Sequence, residues 1–190
     1  MWKLILNTAG AVGYWIGDQL TDWTGLAAVR IPLQQGSHPR EVTLDLPGYM
    51  QTNSYGCGAI TAAMIVRYFR PHLTFARIYD AVNPLPDNGA STGKVVRGLR
   101  SCGLRVSQRT KLRFDDLRKA IDQGMPVMVV IHNPGATANH WVVAYGYSQR
   151  PNRVFLATNG PPWLDSNRIS LGRFRRLWKP RGNGLICSQK

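Results

Sequence analysis

The sequence predicts an α+β fold in which helices come first and an antiparallel sheet comes second. Between residues 57 and 123 apolar side chains recur at helical spacing in several segments, each ended by glycine, asparagine or a polar loop. From Pro126 to Thr158 the apolar runs are instead short, rich in β-branched and aromatic residues, and separated by turn signals. With 190 residues and 44% apolar content, the chain fits one compact domain with an appendage.

Taken in order, Met1 to Gly17 carries Lys3 near its start and continues through Leu4, Ile5, Leu6, Val12, Trp15 and Ile16. Asn7 and Thr8 interrupt the run and no small-residue cleavage site follows, so it does not read as a signal peptide, and it is too short to span a bilayer. It reads as a helix packed on the domain or on a partner, with placement on a membrane surface as the alternative. Gln34 to Arg40 reads as a linker, which divides the chain into an N-terminal extension over 1–40 and a main domain over 41–190. Glu41 to Leu46 alternates as a short strand does.

Gly56-Cys57-Gly58 is a tight bend before a helix over Ala59 to Phe69, where Ile60, Met64, Ile65, Val66 and Phe69 supply the buried surface. Phe75 to Val82 is a second helix, and Asn83 to Thr92, made of Pro, Asp, Asn, Gly and Ser, is a loop. Helices over Gly93 to Cys102 and Phe114 to Gln123 flank a short strand, Leu104 to Val106. Pro126 to Ile131 is a central strand by its nearly continuous apolar run. His140 to Tyr147 and Val154 to Thr158 complete the sheet around a turn at Gln149 to Asn152.

Charge and cysteine content narrow the setting. Lys and Arg number 24 against 10 acidic side chains, a net charge of +14 that favours acidic partners. The three cysteines match neither a zinc site nor a disulfide framework, which predicts a reducing, cytoplasmic location. No glycine-rich phosphate loop, paired-carboxylate site or metal cluster competes for the chemistry, and no cofactor is implied.

The chemistry is carried by four residues: Gln51, Cys57 six positions later, His140 at the head of a strand, and Asn159 behind it. A cysteine-nucleophile acyl transfer needs a thiol, a base to ionise it, a group to orient that base, and a donor aimed at the oxyanion. Cys57 stands at a helix N-terminus, where unpaired N–H groups and the helix dipole favour the thiolate. The flanking glycines would let a substrate backbone approach the sulfur. Cys102 and Cys187 read as inert, buried thiols. His132, which ends the preceding strand, is the rival base, and His38 and His72 lie in loop-like contexts.

The segment Gln51-Thr-Asn-Ser-Tyr-Gly-Cys57-Gly58, then Gly124-Met-Pro-Val127, then Asn139-His140-Trp141-Val142-Val143-Ala-Tyr-Gly146-Tyr resembles the papain-like cysteine proteases. It is most similar to the C39 group, best known for the peptidase domains of bacteriocin exporters, over about Leu46 to Trp178. The resemblance implies a papain-like fold with Cys57 as nucleophile, His140 as base and later acid, Asn159 as orienter of the imidazole and Gln51 as oxyanion donor. The C39 group usually has Asp-Pro where this chain has Asn159-Gly160-Pro161, and an amide stabilises an imidazolium less than a carboxylate does. No ATP-binding or transmembrane segment follows, so an exporter-linked role would need a separate chain.

The segment Arg168 to Arg181 carries Arg173, Arg175, Arg176, Lys179 and Arg181. Its Leu171, Phe174, Leu177 and Trp178 fall at helical spacing and read as inward-facing. The arginines on the opposite face are left for an acidic protein or anionic surface rather than for nucleic acid. The expected function is a cysteine peptidase working through a thioester. The alternatives are an acyltransferase to an amine and a weakened binding module for an acidic partner.

Overall fold

The computed structural model describes residues 28–31, 33, 35–36, 39–132, 139–159, 168–178 and 182–190. The expected helix over 1–17 lies outside them.

Strand β1 (Ala28–Ile31) pairs antiparallel with β3 (Gly48–Gln51) in a small sheet of its own. The sequence-based reading of 1–40 as helix and linker contained no such strand. Four residues are too few for alternation to register, and the strand exists through its partner rather than its own pattern. Gly48 is required there, because a Cβ would come within 2.3 Å of Ile31 O.

Helix α1 (Cys57–Phe69) follows β3 and is the centre of the molecule. Gly58 through Val66 are all buried, so this helix is enclosed on every side rather than lying on a surface. Small residues at Ala59, Ala62 and Ala63 allow its neighbours to approach. Helix α2 (Phe75–Val82) begins at Thr74, whose hydroxyl accepts Arg77 N–H, and ends at Asn83 in the left-handed conformation at φ 51°. Helix α3 (Thr92–Ser101) is capped in the same way by Ser91. Both pack beside α1 in one apolar core.

The larger sheet runs in the order β4 (Leu104–Arg109), β9 (Gly184–Gln189), β5 (Val127–His132), β6 (Asn139–Gln149), β7 (Asn152–Ala157), β8 (Arg168–Ser170), with β2 (Glu41–Thr43) also paired to β6. Strand β6 organises it. Residues 139–144 pair with β5, and beyond a register shift between Ala144 and Gly146 the same strand pairs with β2. Gly146 allows that handover, since a Cβ there would lie 2.6 Å from Val42 O. Side chains alternate between two cores: Trp141, Val143 and Tyr145 face the helices α1 to α3. Val142 and Ala144 join the core of α4 (Phe114–Asp122) and α5 (Leu171–Leu177).

The sequence reading located the central strands and helices within a few residues but missed β3, β8 and β9. Strand β9 inserts between β4 and β5, placing Cys187 opposite Val106 and Ile186 opposite Val127. Within the basic C-terminal segment Phe174 is fully buried and Trp178 is 7% exposed, as their spacing predicts. Arg168 turns inward instead. Its guanidinium meets both Glu41 carboxylate oxygens at 3.0 and 3.2 Å, donates to Gln35 O, and lies 4.5 Å from the Phe155 ring centroid. Arg173, Arg175 and Arg176 are exposed.

Candidate active site

Three segments bring their chemistry together where α1 begins. The first is the loop from Gln51 to Gly56, folded around Asn53. Its side-chain carbonyl accepts N–H from Tyr55 at 3.2 Å and from Gly56 at 2.7 Å, and its amide donates to the Tyr79 hydroxyl. The Gln51 side-chain amide donates to the Asn53 main-chain carbonyl. The loop therefore arrives at Cys57 in a defined conformation.

The two glycines around Cys57 serve the protein's own packing. A Cβ on Gly56 would stand 2.7 Å from Asn53 Oδ1, and one on Gly58 would stand 3.0 Å from Ala90 Cβ and 3.2 Å from the Trp141 ring. This packing requirement stands beside the expected role of the glycines in letting a substrate backbone approach. Trp141 in turn is held by Nε1 donating to Ala90 O at 3.2 Å, so the loop after α2 is pinned against the start of α1.

Cys57, half-buried, is the first residue of α1, and His140 on β6 is its hydrogen-bonding partner. Burial by itself pushes the Cys57 thiol up, but the hydrogen bond and charge of His140, with main-chain groups of Trp141 and Gly58, outweigh it and hold the thiol below its ordinary value. Burial likewise works against a charged His140, yet Cys57 and the Thr158 carbonyl raise the imidazole above its usual value. Both shifts run in the direction that favours a thiolate facing an imidazolium. His140 Nε2 lies 2.8 Å from Thr158 O. A carbonyl only accepts, so Nε2 carries the hydrogen and Nδ1 is left for the sulfur.

Asn159 lies beside this pair, but its side chain is engaged elsewhere. Its amide nitrogen lies within hydrogen-bonding distance of Cys57 O, Thr61 Oγ1 and Trp141 O, which share its two N–H groups, and its main-chain carbonyl accepts Gln51 N–H at 2.7 Å. The group against the outer ring nitrogen is the Thr158 carbonyl, where the resemblance had implied the Asn159 side chain. The left-handed backbone of Asn159, φ 60°, turns its side chain under α1 while the preceding carbonyl meets the ring.

The other expected candidates sit apart. His132 is exposed at the end of β5, paired with Asn139, while its neighbour Ile131 is opposite His140. Cys102 and Cys187 are buried, and burial pushes the Cys187 thiol up to about 12. Three contributors escaped the sequence reading. Thr61 stands one turn after Cys57, a spacing that puts both on one helix face. Asn53 begins an Asn-Ser pair, a turn signal. The Thr158 carbonyl has no sequence signature at all. Among the described residues no group of His, Cys, Asp or Glu is arranged to hold a metal ion, and no helix is long and apolar enough to cross a membrane.

Comparison with solved structures finds the same fold. A double-glycine-motif protease from an AMS/PCAT transporter, solved in complex with the leader peptide, is 19% identical over 85% of this chain and 99% of its own, with a TM-score of 0.59. A putative C39-like peptidase from Bacillus anthracis is 15% identical over 79% of this chain and 98% of its own, with a TM-score of 0.61. The peptidase domain of Streptococcus ComA, a bifunctional ABC transporter involved in quorum sensing, is 15% identical over 80% of this chain and 100% of its own, with a TM-score of 0.59. No curated protein sequence matches the chain significantly. The model of the Peptidase_C39 like family matches residues 43–185, which include the loop before Cys57, the His140 strand and Asn159. On that match and this fold, the chain belongs to the C39-like family of papain-like cysteine peptidases.

Proposed function

We propose that this protein is a cysteine peptidase that cleaves a peptide or amide bond through a thioester on Cys57. The observation that carries the reading is the pairing of Cys57, at the start of α1, with His140, whose far nitrogen is committed to Thr158 O. In the proposed sequence the Cys57 thiolate attacks the scissile carbonyl carbon, and the carbonyl electrons move to oxygen. The Gln51 amide has two N–H groups. One is taken by the Asn53 carbonyl, and the other is the donor we assign to the oxyanion. His140 then gives its proton to the leaving amine, and the thioester forms as the C–N bond breaks. Water attacks the thioester with His140 as base, which releases the acid and restores the thiolate.

A peptide is the substrate class we favour, because the double-glycine-motif protease of similar fold holds a leader peptide. Placing the catalytic machinery within 41–190 accords with the span of the family match. The test is cleavage of a peptide mixture by the wild type and by Cys57→Ala, followed by mass spectrometry. Products that appear only with the wild type are expected. Equal cleavage by both rejects Cys57 as nucleophile. A wild-type Cys57 that iodoacetamide alkylates no faster than glutathione at about pH 6 also rejects it. Adding an amine acceptor separates the alternative, acyl transfer, through a new amide product in place of the free acid.

A further inference from the structure

One residue touches every segment of the candidate site. Asn159 is 3% exposed, and its main-chain carbonyl holds Gln51 N–H at 2.7 Å. Its side-chain nitrogen lies 3.3 Å from Cys57 O, 3.2 Å from Trp141 O and 3.0 Å from Thr61 Oγ1. Two of those partners are main-chain carbonyls, which accept and never donate. The side-chain atom facing them therefore has to be the NH2, and the orientation of the amide follows from chemistry. Thr61 Oγ1 also donates to Trp141 O at 3.1 Å and lies 3.4 Å from Asn159 Oδ1, so helix, strand and loop meet in one buried polar cluster.

We infer that Asn159 is a positioning residue that works as a hydrogen-bond donor: its amide ties the nucleophile helix to the strand bearing His140, while the Thr158 main-chain carbonyl holds the imidazole. The inference rests on the reading of Cys57 and His140 as nucleophile and base. It gives this chain a reason for Asn where the C39 group usually has Asp. The backbone supplies no such reason, since the left-handed conformation at φ 60° suits Asn and Asp alike. Hydrogen-bond donors separate the two. An ionised Asp would set carboxylate oxygens against the carbonyls of Cys57 and Trp141 in a buried place, and a protonated one offers one hydrogen where the amide offers two. The titratable groups flanking the position are Cys57 on α1 and His140 on β6, and a carboxylate between them would also act against the Cys57 thiolate.

The experiment is the iodoacetamide alkylation rate of Cys57, followed by peptide mass mapping from about pH 4 to about pH 9, in the wild type, Asn159→Asp and Thr61→Val. Circular dichroism checks that each variant is folded. Asn159→Asp is expected to approach the wild-type rate on the acid side, where its carboxyl is protonated, and to fall about tenfold or more below it near neutrality as the carboxyl ionises. Thr61→Val removes one partner without adding charge and is expected to lower the rate by about threefold with no change in the shape of the profile. An Asn159→Asp rate equal to or above wild type at neutral pH, with the reactive range extended upward, would mean that a carboxylate grips the ring, and it overturns the inference. So does a Thr61→Val rate equal to wild type, which decides the matter if Asn159→Asp does not fold. Failure of the underlying reading looks different: the wild type itself would then react no faster than glutathione.

Discussion

The two faces of the large sheet are covered by helices, yet they are built differently. Toward α4 and α5 the contact is mainly apolar, with Val129, Val142, Val154 and Leu156 packed under Leu117 and Phe174, and the Tyr147 hydroxyl donates to Asp122 of α4. Toward α1 the apolar core is broken by a buried polar seam in which Thr61 and Asn159 bridge main-chain carbonyls of helix and strand. A buried polar group destabilises unless it is hydrogen-bonded, so a seam of this kind contributes less to stability than the same area of hydrocarbon. What it supplies is a single register between Cys57 and His140. One face stabilises the sheet and the other sets the geometry of the chemistry.

This division can be broken by substitution. The largest effect on stability is expected from the apolar face. Phe174→Ala empties a fully buried site and should reduce unfolding free energy by about 3–5 kcal/mol in urea denaturation. The folded fraction should still alkylate at Cys57 at the wild-type rate. A changed Cys57 rate in folded Phe174→Ala protein would show that the faces are coupled.

On the polar side, Gln51→Ala should lower kcat/KM on a cleaved peptide by about a hundredfold or more if its amide stabilises the oxyanion. Its urea midpoint should hardly move. Full activity in this variant would leave Gln51 only the task of anchoring the Asn53 carbonyl. A smaller effect separates ionisation from position. Because the Cys57 thiol is lowered and the His140 imidazole raised, each favours the charged form of the other: acid works against the pair by protonating the sulfur, and base by removing the ring proton. His140→Ala should therefore shift the onset of alkylation upward, toward the ordinary thiol range, and reduce the rate at about pH 6 by about tenfold. An unshifted onset would mean that the helix N-terminus alone ionises Cys57.

Much of the fold was legible because its signals are local. Helix α1 announces itself by Gly56-Cys57-Gly58 and the apolar run behind it, and β5, β6 and β7 by β-branched runs separated by turns. Strands β1, β3, β8 and β9 were not legible. The first three are three or four residues long, and β9 owes its place to partners about sixty to eighty residues earlier in the chain, a pairing that no local pattern encodes. Arg168 shows the same limit for charge: in sequence it belongs to a basic run, while in space Glu41 and Phe155 claim it.

The sequence by itself determined which residues are available for chemistry: one cysteine at a helix start, one histidine at a strand head, a glutamine six residues before the cysteine and an asparagine after the next strand. Tertiary structure decided how they are used. The ring nitrogen of His140 meets the Thr158 carbonyl, and the Asn159 amide turns beneath α1, because the left-handed Asn159 just after β7 sends its own side chain under the helix while the carbonyl of the residue before it faces the ring. The physical reason is that residue type specifies donors and acceptors, whereas the backbone path specifies which of them face each other.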